Sequence, residues 1–392
     1  MSGLAPVFSE EHEAYREGAR RFVANEIDPN AERWETARDY PRDLFAKVGS
    51  AGFFGAKFEE RWGGTGPDYA AEAVWIEEVS RSMTFGTAAD LGAHSQLAAL
   101  YVDRFGSDDQ KERYLGPSIA GEKLGALAVS EPDAGSDVAG LRTTARADGD
   151  EWVLNGSKMY ITNGSWSDFV VVAARTSEDG HGGITLFLVD ADTPGLIRER
   201  MRMIAWHTSH TGELHFDDVR VPDDNRLGEP GAGFGQIMAN FQWERVTMSL
   251  GAIALAEKAL ETAITYSRER NAFGRPVIRF QVWQHRFADL AVRIRTGKAL
   301  TYSALRLHVA AENGVDIPRD ELTRVTSMAK LHTQRLAWEV ADECVQVHGG
   351  AGALKEYPAQ RFWRDARVGP IGGGTDDILR NIIARSLGLG AT

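Results

Sequence analysis

Cysteine is almost missing from this sequence: Cys344 is the only one in 392 residues. No intrachain disulfide can form, and a cysteine-built metal cluster is excluded. Its context, WEVADECVQVHGG, reads as a buried helical thiol rather than a nucleophile, and a reducing, cytoplasmic setting is expected. Long apolar runs are missing too. None approaches the roughly 20 residues that span a bilayer, so no membrane segment is predicted. The N-terminal MSGLAPVFSEEHEAYREGARRF is acidic-rich rather than a targeting peptide, and the mature chain is expected to begin near Met1. Positive charge is in deficit. Lys and Arg number 44 against 56 Asp and Glu, a net −12, which argues against nucleic acid or an anionic membrane as the main partner. A small molecule or another protein is the default.

What is present suits a globular chain, with 43% hydrophobic and 26% charged residues. Its length allows two or three domains and a substantial core. Three textures follow one another. Over residues 1–122 the pattern is helical: Ser9 can cap, Glu10 and Glu11 occupy the positive first turn, and Tyr15, Ala19, Phe22 and Val23 recur at helical spacing until Pro29 stops the run. Further helices are predicted over 41–48, 70–81, 91–105 and 107–120. Residues 123–230 instead concentrate β-formers in LGALAVS, EWVLNG, FVVVAART, ITLFLVD and ELHFDDVRVP, without helices between them. A doubly wound nucleotide fold is therefore not expected. From 231 to 392 long helices return, one of them carrying the stripe Val246, Leu250, Ile253, Leu260 and Ile264. The predicted class is α+β: an N-terminal helical domain, a middle β domain and a C-terminal helical bundle.

Several motifs are weaker than they look. GEPGAGFG places Gln236 where a dinucleotide fingerprint needs its last glycine, so it reads as a linker. His207, His210 and His215 lack supporting carboxylate spacing, and no metal site is expected. VSEPDAGSDVAG joins small residues, hydroxyls and backbone amides after a strand, which suits close approach to a planar or phosphorylated ligand or simply a tight loop. KMYITNG is open to the same two readings, with Tyr160 offering an aromatic face and Thr162 a hydroxyl.

Read together, SEPDAGSD, NGSKMYITNG, FDDVRVP, RERNAFGRPV, VQVHGGAGALKEYP, RDARV and GGTDDILRNIIAR occur in the order found in acyl-CoA dehydrogenases. The chain resembles that family over nearly its whole length. The resemblance implies the three domains above, the middle one barrel-like or a sandwich and the last a four-helix bundle. It also implies FAD as cofactor and a homotetramer. By the same resemblance Leu127, Ser130 and Ser136 lie on the loop against the flavin, with Ser136 also near the acyl-CoA. Tyr160, where Trp is commoner, stands beside the isoalloxazine, and Thr162 at flavin N5. Arg270, Phe273 and Gln281, with Gln346, Gly349 and Gly350, match segments that hold FAD across a subunit interface. Thr375 and Asp377 match further FAD contacts. His210 departs from the Asp of many relatives.

The chemistry so implied is α,β-dehydrogenation of a thioester, with a carboxylate taking the α-proton and FAD the β-hydride. In most relatives the base is a Glu before the Gly-Thr of a C-terminal loop, but here IGGGTDDILR places Gly373 there. Its N–H can still serve a developing enolate. Isovaleryl-CoA and long-chain acyl-CoA dehydrogenases resemble this chain further, drawing their base from a Glu-Arg pair on the first helix of the last domain. FQWERVTMSLG puts Glu244 and Arg245 at that place. On a helix Glu244 aligns with Met248, Gly251 and Leu255 rather than with Glu257 and Glu261. Glu244 is thus the expected base, with Arg245, Gly373 and Gly374 beside the substrate, and the bare glycines hint at room for a long or branched acyl chain. Electron-transfer flavoprotein is the expected acceptor. Three alternatives stay open: a carrier-protein-bound acyl or aminoacyl substrate, an oxygen-using relative, or a non-enzymatic paralogue that keeps FAD for structure.

Overall fold

The computed structural model describes residues 7–389. Ser9 opens the first helix through a reciprocal capping box. Its Oγ accepts from the His12 N–H while the His12 ring accepts from the Ser9 N–H, and Glu10, Glu11 and Glu13 fill the positive first turn. Pro29 does not end this helix, as the sequence reading expected. Helix α1 (Glu10–Phe22) passes into a π turn at Val23–Ile27, and Pro29 sits at the start of the 3-10 turn Asp28–Asn30, where its missing N–H is not needed. There follow α2 (Ala31–Ala37), α3 (Asp43–Ser50), α4 (Tyr69–Val79), α5 (Phe85–Gly92), α6 (Leu100–Phe105), α7 (Asp108–Gln110) and α8 (Gly116–Ile119). The continuous helices predicted over 91–105 and 107–120 are each interrupted by a π turn, at Ala93–Ala99 and Lys111–Leu115.

The middle strands are β1 (Gly125–Ala128), β2 (Thr144–Asp148), β3 (Glu151–Ile161), β4 (Phe169–Arg175), β5 (Ile184–Asp190), β6 (Leu196–Arg200), β7 (Gly212–Pro222) and β8 (Arg226–Leu227). They form one sheet in the order β6-β7-β3-β2-β4-β5-β8, with β1 parallel beside β4. Residues 158–161, read from the sequence as a ligand-contacting or tight loop, are instead the end of β3. Register shifts at Leu154/Gly156 and Lys158/Ile161 obscure the alternation there. In β4, Phe169, Val171 and Ala173 point into the core shared with the helices, while Val170, Val172 and Ala174 enter a core within the sheet domain.

Helix α9 (Gly233–Glu269) begins inside the GEPGAGFG segment and is followed by the hairpin β9 (Asn271–Ala272) and β10 (Arg275–Pro276). Then come α10 (Gln281–Glu312), α11 (Arg319–His348), α12 (Ala359–Ala366) and α13 (Asp376–Ser386). Helix α9 joins two cores. Trp243, Val246 and Leu250 pack with the first domain and the sheet, and Ile253, Leu255 and Leu260 pack within the bundle. Each such side chain contributes roughly 1.5–3 kcal/mol by leaving water, so the helix carrying the expected base is held from two domains. The architecture is the α+β class expected: helical, β, helical. Among the described residues no helix is long and apolar enough to cross a membrane.

Candidate active site

Glu244 and Gly373 meet in space although they stand 129 positions apart in sequence. Gly373 has φ +60°, and a Cβ built on it would overlap Met248 Sδ and stand 3.2 Å from Glu244 Oε1. Met248, one turn beyond Glu244 on α9, thus fills the volume a side chain at 373 would need. The Glu244 residue keeps a partial opening to the exterior. Loss of hydration raises its carboxyl above the ordinary carboxylate range, opposed by the charges of Arg245 and Lys330. Arg245 is 5% exposed and its Nε has no partner among the described residues. Burial lowers its guanidinium pKa, while Glu244 opposes that shift.

Lys330, which the sequence reading missed, completes this group. It is fully buried on α11, and its Nζ donates to Gly369 O at 2.8 Å and Gly374 O at 2.7 Å. Burial pushes the ammonium down to about 8. A lysine on the stripe Thr326, Ala329, Thr333 and Ala337, buried in the fold, was the sequence signal available. Thr375 follows the glycines and caps α13, its Oγ1 accepting from the Ile378 N–H at 3.4 Å. Asp377 is exposed and paired with Arg380 at 2.9 Å.

A second group gathers where β1 and β3 end. Leu127 lies on β1 and Ser130 just beyond it, and Ser130 O accepts from the Met159 N–H at 2.9 Å, next to Tyr160 and Thr162. Tyr160 is 60% exposed at φ +62°. The loop bearing exposed Ser136 is pinned from below. Glu131 accepts from the N–H groups of Arg142 at 2.6 Å and Thr143 at 2.9 Å and from Lys158 Nζ at 2.8 Å. Lys158 also reaches Val129 O at 2.9 Å.

A third group lies at the far end of α9. Arg270 ends that helix, Phe273 is 96% exposed at the hairpin tip, and Gln281 opens α10. Gln346, Gly349 and Gly350 are exposed where α11 ends, beside a Tyr266–His348 ring stack of 3.9 Å that ties α9 to α11. From Glu244 to Arg270 the helix runs roughly 39 Å. One chain therefore does not bring this group to Glu244.

The three histidines are dispersed. His210 stacks on Trp166 at 3.3 Å with Nε2 2.9 Å from Asp39, His215 meets Ser157 Oγ at 3.0 Å, and His207 lies 3.3 Å from Arg38. A cleft of about 310 Å³ among α1, α4, α9 and α10 is lined by Arg16, Glu77, Glu78, Arg81, Glu257 and Lys298, whose charges pair with one another. It is separate from the Glu244 site.

The residues present fit FAD. Tyr160 and Phe273 are aromatic side chains left uncovered, Ser130 and Thr162 supply hydroxyls at the rim, and a Cβ at Gly349 or Gly350 would meet nothing within 4 Å. Such open backbone lets a planar or phosphorylated group approach closely.

Three family models match successive parts of the chain. Residues 9–122 match the acyl-CoA dehydrogenase N-terminal domain, 126–219 the middle domain and 231–388 the C-terminal domain. The long-chain specific mitochondrial acyl-CoA dehydrogenase of Sus scrofa is 38% identical over 98% of this chain and 88% of its own length. A probable acyl-CoA dehydrogenase of Mycobacterium abscessus superposes with a TM-score of 0.92 at 37% identity, covering 97% of this chain and 100% of that one. A Mycobacterium smegmatis glutaryl-CoA dehydrogenase in complex with FADH2 gives 0.90 at 29% identity, over 98% and 96%. This chain belongs to the acyl-CoA dehydrogenase family.

Proposed function

We propose that this protein dehydrogenates its acyl-CoA with the Glu244 carboxylate as the base that removes the α-proton. Family membership gives the overall reaction, FAD-dependent α,β-dehydrogenation of an acyl-CoA. One observation carries the choice of base: where most relatives have a carboxylate, residue 373 has no side chain, and Glu244 Oε1 stands 3.2 Å from where its Cβ would be.

The chain's own groups suit that task. Withdrawal from water makes the Glu244 carboxylate a stronger base than one at the surface. The Gly373 N–H makes none of the loop's backbone hydrogen bonds and is free to donate to the thioester oxygen as charge develops there. Arg245 keeps a cation next to the carboxylate without an ion pair that would quench it. Ser130, Tyr160 and Thr162, with Leu127, Ser136, Thr375 and Asp377, are the residues of this chain assigned to FAD. When bound, FAD supplies the acceptor for the hydride that leaves the β-carbon. Gly374 borders the thioester with Gly373.

We place the chain with the isovaleryl-CoA and long-chain type on the strength of Glu244, and infer domains at 1–122, 123–230 and 231–392. The third group, distant from Glu244 along α9, supports a homo-oligomer in which Arg270, Phe273, Gln281, Gln346, Gly349 and Gly350 serve the FAD of another copy. Electron-transfer flavoprotein is the acceptor we infer. The deciding experiment is Glu244→Gln: FAD stays bound, while reduction of the enzyme by an acyl-CoA panel under anaerobic conditions is lost. Reduction at an undiminished rate sinks the assignment.

A further inference from the structure

We propose that Lys330 is a positioning residue for proton abstraction: its ammonium ties together the ends of the glycine loop, through the carbonyls of Gly369 and Gly374, and so holds Gly373 against the Glu244 carboxylate. The proposal rests on the reading of Glu244 as base.

The loop's own bonds stop short of its last two glycines. Ile371 and Gly372 donate to Val368 O, at 2.9 and 3.0 Å, and Asp376 donates to Pro370 O at 3.2 Å, while the N–H groups of Gly373 and Gly374 join no such bond. Both of those glycines have positive φ, +60° and +92°. Glycine explores this region freely, so a tie from outside the loop narrows the range these two residues would otherwise sample. Lys330 does so from α11, at two carbonyls five residues apart in a stretch with neither helix nor strand.

The choice of lysine is informative because it is costly. A methionine of similar length would fill the same buried space without removing an ammonium from water. The charge is also well placed. Glu244 and Arg245 face it from α9 and Asp376 from the start of α13, with Arg335 beside Asp376. Tyr101 of α6 adds its ring on the Glu244 side. Loss of the ammonium removes one of the two cations that favour the ionised base.

The test uses holoenzyme and a 3-thiaacyl-CoA, which has an α-hydrogen but sulfur in place of the β-carbon. Exchange of the α-hydrogen for deuterium, followed by mass spectrometry, then reads proton abstraction without dehydrogenation. Glu244→Gln is the reference. Continued exchange in that variant means the base reading has failed, whatever Lys330 does. With Glu244→Gln silent, Lys330→Met is expected to slow exchange at least about tenfold, with binding of the analogue unchanged. Lys330→Gln retains a donor for the two carbonyls and recovers part of the rate. In both, the acid limb of the exchange profile moves to higher pH, because a positive charge beside Glu244 is gone. Wild-type exchange in Lys330→Met, or slowing explained wholly by weaker binding of the analogue, overturns the proposal. Should Lys330→Met fail to fold with FAD, Lys330→Gln carries the comparison, and an unmoved acid limb there overturns it.

Discussion

At residue 373 the backbone sits at φ +60° and a methyl group would strike Met248 Sδ. Gly373→Ala is therefore expected to destabilise the protein by roughly 1–3 kcal/mol, seen as a lower Tm. Met248→Ala in the same chain should recover the part due to the collision and leave the part due to backbone strain. Glu244 makes the opposite trade. Its carboxyl is raised by burial, so the folded state binds a proton more tightly than the unfolded one, and stability falls as pH rises through the folded pKa. Glu244→Gln is expected to melt higher than the wild type at alkaline pH, the gap closing as pH drops toward the ordinary carboxylate range. A variant that loses activity but gains Tm in that pH-dependent way would separate a functional carboxylate from a structural one. Dehydrogenation by the wild type should fall on the acid side of a pKa above that of an exposed glutamate, measured as the pH profile of kcat/KM.

Among the elements, the seam between the first helical domain and the sheet depends on Asp90 of α5. This fully buried carboxylate accepts from Tyr40 Oη at 3.0 Å, Ser209 Oγ at 2.6 Å and the His210 N–H at 2.9 Å. Asp90→Ala would strand those donors and is expected to cost roughly 3–5 kcal/mol, read from the urea midpoint. The same seam shows where sequence reading reaches and where it stops. Strand β5 could be read directly from ITLFLVD, because both of its faces are buried and β-formers run unbroken. Strand β6, LIRER, is an exposed edge and carries no such run. The π turns left no mark: Ala93–Ala99 is buried at all but one position, and Lys111–Leu115 buries only Tyr114 and Leu115, so neither stretch departs from what a helix would show. In the site, Glu244 was singled out by its motif and its apolar helix face, and the fold places it beside residue 373. Lys330 left only its place on an otherwise small-residue helical stripe, since its partners are main-chain carbonyls that no side-chain spacing announces.

For the whole molecule, the distance along α9 between Glu244 and Arg270 sets the assembly question. Phe273 at 96% exposure, with Val282 at 55% and Val292 at 67% on α10, leaves apolar surface uncovered on the side that carries Gln281. Phe273→Asp is expected to shift the particle toward smaller species by light scattering and to release FAD in the same step. Dissociation with FAD fully retained would contradict the role given to the hairpin in a neighbouring copy's site. Overlap between Met248 and any side chain at 373 also constrains descent. A lineage moving its base from the helix to the loop meets this side chain first: Met248 has to turn aside or be shortened as residue 373 grows, and Glu244 is needed until a carboxylate stands at 373. Reversal meets the same contact from the other side, so the two arrangements, neighbours in chemistry, are coupled through the volume that residue 248 leaves beside residue 373.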